Sequence, residues 1–314
     1  MSILKVTELK VHYFTSRGVV RAVDDVSFQL DAKRILGIAG ESGSGKSTVA
    51  LSLMKLIPLP GRIVDGEVLL QGEDLLKKSE RELEKVRWKE ISIVFQGAMN
   101  AFNPVLKIGE QIAEAILAHD DLDRSQAFKR VAGLLTLVGI DPSRANNYPH
   151  QFSGGMKQRA MIAMALALNP RVVIADEPTT GLDVIVQAQM LKLLKDMQRT
   201  LGLSMIVISH DLSLISELCD SCAIMYAGKI AEYADTVSIF EKKYHPYVQA
   251  LIKCFPSVRS SAELVSILGS PPNLINPPAG CRFHPRCPFA KKVCRETEPE
   301  LKEVEEEHYV ACHL

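Results

Sequence analysis

The stretch Gly40-Glu41-Ser42-Gly43-Ser44-Gly45-Lys46-Ser47-Thr48 limits the fold more than any other part of the chain. It fits G-x-x-x-x-G-K-[ST]. Before it stands Ile35-Leu36-Gly37-Ile38-Ala39, a short apolar run of buried-strand character. After it comes a helical stretch from about Lys46 to Lys55 that stops before Pro58. In a strand–glycine turn–helix unit, successive backbone N–H groups can point inward at phosphate oxygens. Ser42, Gly43, Ser44, Gly45, Lys46, Ser47 and Thr48 are therefore candidate nucleotide-binding residues. Lys46 can reach the β- and γ-phosphates, and the Ser47 hydroxyl can hold Mg²⁺.

A site of this kind needs a carboxylate after a second buried strand. Arg171-Val172-Val173-Ile174-Ala175-Asp176 supplies one. Asp176 would hold Mg²⁺ through water, and Glu177 beside it would polarise the attacking water. Further strands are expected at Val64 to Leu70, Ile91 to Phe95 and Ser204 to Ser209, with a helix from Val184 to Leu201. Between about Ile108 and Ala167 the apolar spacing turns helical, with breaks at Gly139 and at Asn146-Asn147-Tyr148-Pro149. This is an α/β pattern, implying a parallel sheet with helices on both faces and a compact helical insertion.

The 314 residues suggest about two domains. With 37 Lys+Arg against 37 Asp+Glu the net charge is zero, which weighs against general nucleic-acid binding. No apolar run approaches the roughly 18 residues of a membrane span. Met1-Ser2-Ile3-Leu4-Lys5 shows no basic stretch followed by a long apolar one, so a secretory signal is not expected. A cytosolic location with reduced thiols is expected.

The motifs together resemble those of the ATP-binding subunits of ABC transporters. Phe152-Ser153-Gly154-Gly155-Met156-Lys157-Gln158-Arg159 is similar to the family signature, usually written LSGGQ, with Phe152 and Met156 departing at its first and last places. Gln96 resembles the Q-loop glutamine, Gly181-Leu182-Asp183 the D-loop, and His210 the switch histidine. Tyr13, with Phe14 next door, resembles the adenine-stacking aromatic. The resemblance implies a P-loop, RecA-like ATPase core with an antiparallel β edge subdomain and a helical subdomain at about 98–169. It also implies that two such subunits pair head to tail. Each ATP would then lie between the P-loop of one subunit and Ser153, Gly154 and Gly155 of the other. Catalysis would fall to Lys46, Gln96, Glu177 and His210, with Ser47, Gln96 and Asp176 around Mg²⁺. Gln96 would connect the γ-phosphate to the helical subdomain, where the membrane partner docks.

Three stretches narrow the resemblance to the dipeptide and oligopeptide importers, of the D-subunit type. They are Phe95-Gln96-Gly97-Ala98-Met99-Asn100-Ala101-Phe102-Asn103-Pro104, His245-Pro246-Tyr247-Val248-Gln249-Ala250-Leu251 and Gly280-Cys281-Arg282-Phe283-His284-Pro285-Arg286-Cys287-Pro288. The same subfamily serves nickel and oligosaccharide importers. The implied partners are a homologous ATPase subunit, two membrane permeases and, indirectly, a solute-binding protein, on the cytoplasmic side of the cell membrane. ABC ATPases that act on DNA or ribosomes form the alternative class. They commonly carry a second nucleotide module or a long coiled coil, and this chain has one P-loop.

The expected organisation is a nucleotide-binding domain over 1–240 and a C-terminal extension over 241–314. The prolines at 271, 272, 277 and 278 suggest a stiff linker, and the tail from Pro271 on is expected to be separable from nucleotide binding. Cys281, Cys287, Cys294 and Cys312 are spaced C-x5-C-x6-C-x17-C in a segment too short to fold on its own core. Tight Cys pairs typical of zinc are missing there, and some importer ATPases of this type carry a [4Fe–4S] cluster in the extension. A structural [4Fe–4S] cluster is expected on the four thiolates, with Zn²⁺ as the alternative and without His284 or His313. Cys219, Cys222 and Cys254 are expected to be packing thiols. Lys77 to Glu90 and Glu303 to Glu307 are expected to be solvated.

Overall fold

The computed structural model describes residues 1–97, 101–254 and 267–314. Ala98, Met99 and Asn100, where the Q-loop resemblance continues and the expected helical subdomain starts, lie outside the described residues. In chain order the elements are β1 (Ser2–Thr15), β2 (Gly18–Asp31), β3 (Ile35–Ala39), α1 (Lys46–Leu53), β4 (Gly61–Leu70), β5 (Glu73–Asp74), α2 (Glu80–Val86), β6 (Ile91–Val94), α3 (Ile108–His119), α4 (Arg124–Leu137) and α5 (Gly154–Ala165). There follow β7 (Val172–Asp176), α6 (Val184–Leu201), β8 (Ser204–Ser209), α7 (Leu212–Leu218), β9 (Ser221–Tyr226), β10 (Lys229–Asp235), α8 (Thr236–Glu241), α9 (Pro246–Lys253), α10 (Lys292–Glu296), β11 (Lys302–Glu305) and β12 (His308–Val310). They divide into two compact units. One comprises Met1–Asp31, Ile35–Leu76 and Ile208–Leu314, and the other Ala32–Arg34 and Lys77–Val207.

The first unit contains an antiparallel sheet in the order β2-β1-β4-β5. Along β1 the apolar residues Leu4, Val6, Leu9 and Val11 are buried, yet strict alternation would expose Leu9. The left-handed Glu8 (φ 49°) and the register shift between Val6 and Leu9 turn the strand by one residue, so the apolar face stays inside. A second sheet in this unit runs β11-β12-β10-β9-β3. β3 pairs in parallel with β9 and all five of its residues are buried. A parallel strand covered on both faces needs such an unbroken apolar run. β9, β10, β12 and β11 are antiparallel neighbours.

The tail is built into this first unit. β12 adds to β10, with Glu232 opposite Val310 and Tyr233 opposite Tyr309. The proline-rich stretch lies along β2: Arg21 donates its N–H to the Leu274 carbonyl at 3.0 Å. The buried ring of Phe283 packs edge-on to Tyr226 at 5.2 Å between centroids, and lies 5.3 Å from Tyr247. The guanidinium of Arg282, itself buried, pairs with Asp24 and also donates to the Ala227 carbonyl.

In the second unit β7 lies between β6 and β8 and pairs in parallel with β6, Ile91 opposite Val172 through Val94 opposite Ala175. α3, α4 and α5 pack together as the helical part. Asp123 caps α4 by accepting the Gln126 N–H at 2.8 Å, while Gln126 reaches back to the Asp123 N–H. Within the mixed-charge stretch α2 buries only Leu83, whereas Val86 to Glu90 are half-buried, so only the helix is solvated as expected. Among the described residues no helix is long and apolar enough to cross a membrane.

Candidate nucleotide site

The phosphate loop joins β3 to α1 as the motif requires. Two glycines are fixed by close approach as well as by backbone angle. Gly40 has φ 147°, and a Cβ there would lie 2.1 Å from the Met225 carbonyl oxygen. At Gly45 (φ 103°), which precedes α1, a Cβ would lie 2.3 Å from the Ala22 oxygen. Any other residue would push the loop away from the two strands that support it. Ser44, buried, accepts the Gly228 N–H at its carbonyl at 2.9 Å.

Lys46 is buried and its ammonium lies across the mouth of the loop. It donates to the Gly40 and Glu41 carbonyls, each at 2.8 Å, and to the Ser44 hydroxyl at 3.4 Å. These are weak acceptors beside a phosphate oxygen, so an incoming phosphate can displace them. Ser47 and Thr48 open α1, where N–H groups lack helical partners and the dipole favours an anion. His210 is exposed in the bend after β8, and the next residue, Asp211, caps α7 by accepting the Ser213 N–H at 2.8 Å. On β1, Tyr13 is half-buried against Gly61, and the neighbouring Phe14 is exposed with the Arg62 guanidinium 5.7 Å from its ring centre.

The second unit carries the remaining motif residues. Asp176 ends β7 and is 5% exposed. Glu177 follows in a left-handed conformation (φ 51°), which turns its carboxylate out of the strand line. The Thr180 hydroxyl donates to Glu177 Oε2 at 2.9 Å and orients it. Gln96 is exposed just beyond β6. Ser153 caps α5, its hydroxyl accepting the Met156 N–H at 3.3 Å, so Gly154 and Gly155 form the first turn with free N–H groups. A Cβ on Gly155 would lie 2.7 Å from Cγ1 of Val186 on α6. Asp183, expected in the D-loop, caps α6 by accepting the Val186 N–H at 3.0 Å.

Residues 23–180 match the ABC transporter family, and residues 231–294 match the oligopeptide/dipeptide transporter C-terminal region. The chain is 46% identical over 99% of its length to the oligopeptide transport ATP-binding protein OppD of Bacillus subtilis, covering 88% of that protein. The chain belongs to the ABC transporter family. It is also 42% identical to the dipeptide transport ATP-binding protein DppD of Escherichia coli strain K12, over 100% of this chain and 97% of that one. Among solved ABC cassettes, the dimeric post-hydrolysis MJ0796 cassette bound to ADP and Pi superposes with a TM-score of 0.67 at 26% identity. That match covers 74% of this chain and 98% of the cassette. The chain is an ABC-type ATPase, and its expected α/β cassette fold with mixed sheets is what the structure has.

The iron–sulfur expectation, and the zinc alternative with it, is overturned. Among the described residues no group of three or more His, Cys, Asp or Glu side chains is placed to hold a metal ion. Among the described residues no two cysteines are joined by a disulfide. Burial pushes the Cys281 thiol up to about 11 and raises those of Cys287 and Cys312. Cys294 is buried and its sulfur accepts the Lys291 N–H at 3.4 Å. A tail that had to fold on its own core would need a staple. Strand addition to β10, the Phe283 ring and the Arg282–Asp24 pair hold it instead. His284 and His313, left out of that ligand set, hydrogen-bond to the Cys281 and Thr297 carbonyls, each at 2.9 Å. Cys219 and Cys222 are buried packing thiols, as expected, and burial raises both.

Sequence reasoning missed two residues that touch the phosphate loop. Tyr247 is fully buried and its hydroxyl accepts the Glu41 N–H at 3.0 Å. Arg286 forms a two-pronged pair with the Glu41 carboxylate at 2.7 and 3.0 Å. Both had been singled out only as parts of subfamily stretches, and no spacing rule links position 41 to 247 or 286.

Proposed function

We propose that this chain is the ATP-hydrolysing subunit that powers import of dipeptides or oligopeptides, lying on the cytoplasmic face of the membrane. The observation that carries this is the joint match of one chain to the ABC transporter family and to the oligopeptide/dipeptide transporter C-terminal region. The near full-length likeness to OppD and DppD supports the same cargo class.

In this mechanism Lys46 leaves the Gly40 and Glu41 carbonyls for the β- and γ-phosphates, and the loop N–H groups close around them. Ser47, Gln96 and Asp176 offer the hard oxygen donors that suit Mg²⁺. When bound, Mg²⁺ supplies charge neutralisation at the phosphate oxygens. Glu177, oriented by Thr180, takes the proton of the attacking water, and His210 contacts the γ-phosphate side. Ser153 and the first-turn N–H groups of Gly154 and Gly155 cover the ATP held by a partner cassette. ATP thus joins two cassettes, and hydrolysis parts them. The partner is a homologous ATPase subunit, and the pair drives two permeases fed by a solute-binding protein. The nucleotide-binding part spans 1–240 and the extension 241–314.

Proteoliposomes holding the permeases, both ATPase subunits and the solute-binding protein test this reading. ATP-dependent uptake of a labelled di- or oligopeptide is expected. Uptake of nickel or an oligosaccharide with none of peptide would overturn the cargo assignment. Copurification with nucleic acid or ribosomes in place of permeases would overturn the transport role.

A further inference from the structure

We propose that Arg286, in the C-terminal tail, is a positioning residue for ATP binding: it neutralises Glu41, whose carboxylate would otherwise oppose the phosphates that Lys46 binds. The inference rests on ATP binding at the P-loop and gives the C-terminal region a role in it.

Glu41 is the second residue of the phosphate loop, and its own carbonyl accepts from Lys46. A carboxylate beside a site for a polyanion repels the ligand and competes for the lysine that should bind it. Here both carboxylate oxygens are taken. Arg286 Nη1 donates to Oε2 at 2.7 Å and Nη2 to Oε1 at 3.0 Å. Nη1 also donates to the Tyr226 hydroxyl at 3.2 Å, Nε to the Leu268 carbonyl at 2.9 Å, and Nη2 to the Ile267 carbonyl at 3.4 Å. Each of the five N–H groups therefore has an acceptor, and the guanidinium carbon lies 5.7 Å from the Tyr226 ring centre. The Arg286 side chain is 6% exposed and that of Glu41 is 22% exposed, so salt screens the pair weakly. The hydrogen bonds to Glu41 hold Arg286 well above its ordinary range, so its charge is fixed.

The backbone of the same residue is held separately, through the Glu41 N–H and the Tyr247 hydroxyl. Tyr226, Tyr247 and Phe283 pack on one another beneath these contacts. Residues 231–294 thus grip Glu41 at both its backbone and its side chain. The tail from Pro271 on, expected to be separable from nucleotide binding, holds the counter-charge of the phosphate loop.

Titration of the full-length chain with MgATP, read by calorimetry, tests this. Arg286→Gln is expected to weaken binding about tenfold, because the phosphate loop then carries an uncompensated carboxylate. Arg286→Lys keeps the charge but loses the fork, and should fall between the two. Adding Glu41→Gln to Arg286→Gln should recover most of the lost affinity, since no carboxylate remains to neutralise. Parent-like affinity in Arg286→Gln would overturn the proposal. So would a double variant no tighter than Arg286→Gln, which would make the loss one of tail structure. A parent chain that fails to bind MgATP would instead sink the nucleotide reading itself.

Discussion

Gly155 of the signature turn and Val186 on α6 approach so closely that a Cβ on the glycine would lie 2.7 Å from the valine Cγ1. Valine is stiff at χ1 and cannot swing that methyl away. Gly155→Ala should therefore shift one helix against the other and destabilise the chain by about 1–2 kcal/mol. Adding Val186→Ala should recover most of that loss. Chemical unfolding of the four members of the cycle checks this, and additive effects would show that the two residues do not meet.

Glu177 is held by the Thr180 hydroxyl at 2.9 Å in a left-handed turn after β7. Glu177→Gln should keep MgATP binding but slow hydrolysis about a hundredfold, the usual cost of losing a positioned base. Any ATP-dependent pair of cassettes should then live longer, visible by size exclusion with Mg-ATP. Hydrolysis at the parent rate would remove Glu177 from the water-polarising role. Lys46→Ala should instead lose nucleotide binding, because the loop N–H groups alone leave the phosphate charge largely uncompensated.

The core of the cassette was legible because its signals are local. An unbroken apolar run followed by Gly40 and Lys46 names a strand, a turn and a helix without reference to the rest of the chain. Asp176 at the end of β7 and Glu177 just after it were legible for the same reason. The tail was misread because its support is distant in sequence. Val310 pairs with Glu232, Arg282 with Asp24 and Arg286 with Glu41, and a segment judged alone shows none of these partners. Spacing of four cysteines then looked like the missing staple.

The Arg282–Asp24 pair ties the tail to β2, with side chains only 5% and 15% exposed. Removing one partner strands a charge with little access to water. Arg282→Ala should cost about 3 kcal/mol, and Arg282→Ala with Asp24→Asn distinctly less than the sum of the two single changes. Thermal and urea unfolding would measure this. A loss below about 1 kcal/mol, the range of an exposed pair, would show that the tail is held by other contacts.

His245 caps α9 through its ring, Nδ1 accepting the Tyr247 N–H at 3.0 Å, and it is 3% exposed. Burial brings its imidazole down to about 4, outweighing a hydrogen bond with the Ala311 backbone. In the unfolded chain the same group takes up a proton near 6.5. Between those two values the unfolded state binds more protons, so stability falls as pH falls, by up to about 3 kcal/mol from this residue alone. Below about pH 4 both states are protonated and its contribution is gone. Asn at 245 can accept the same N–H as a helix cap but does not titrate. His245→Asn should therefore lower stability at pH 7, through lost packing, while flattening its decline toward pH 4.5. Urea unfolding of both proteins at pH 7, 6, 5 and 4.5 reads the difference in slope. Parallel curves across that window would show that the ring is not held neutral in the folded state.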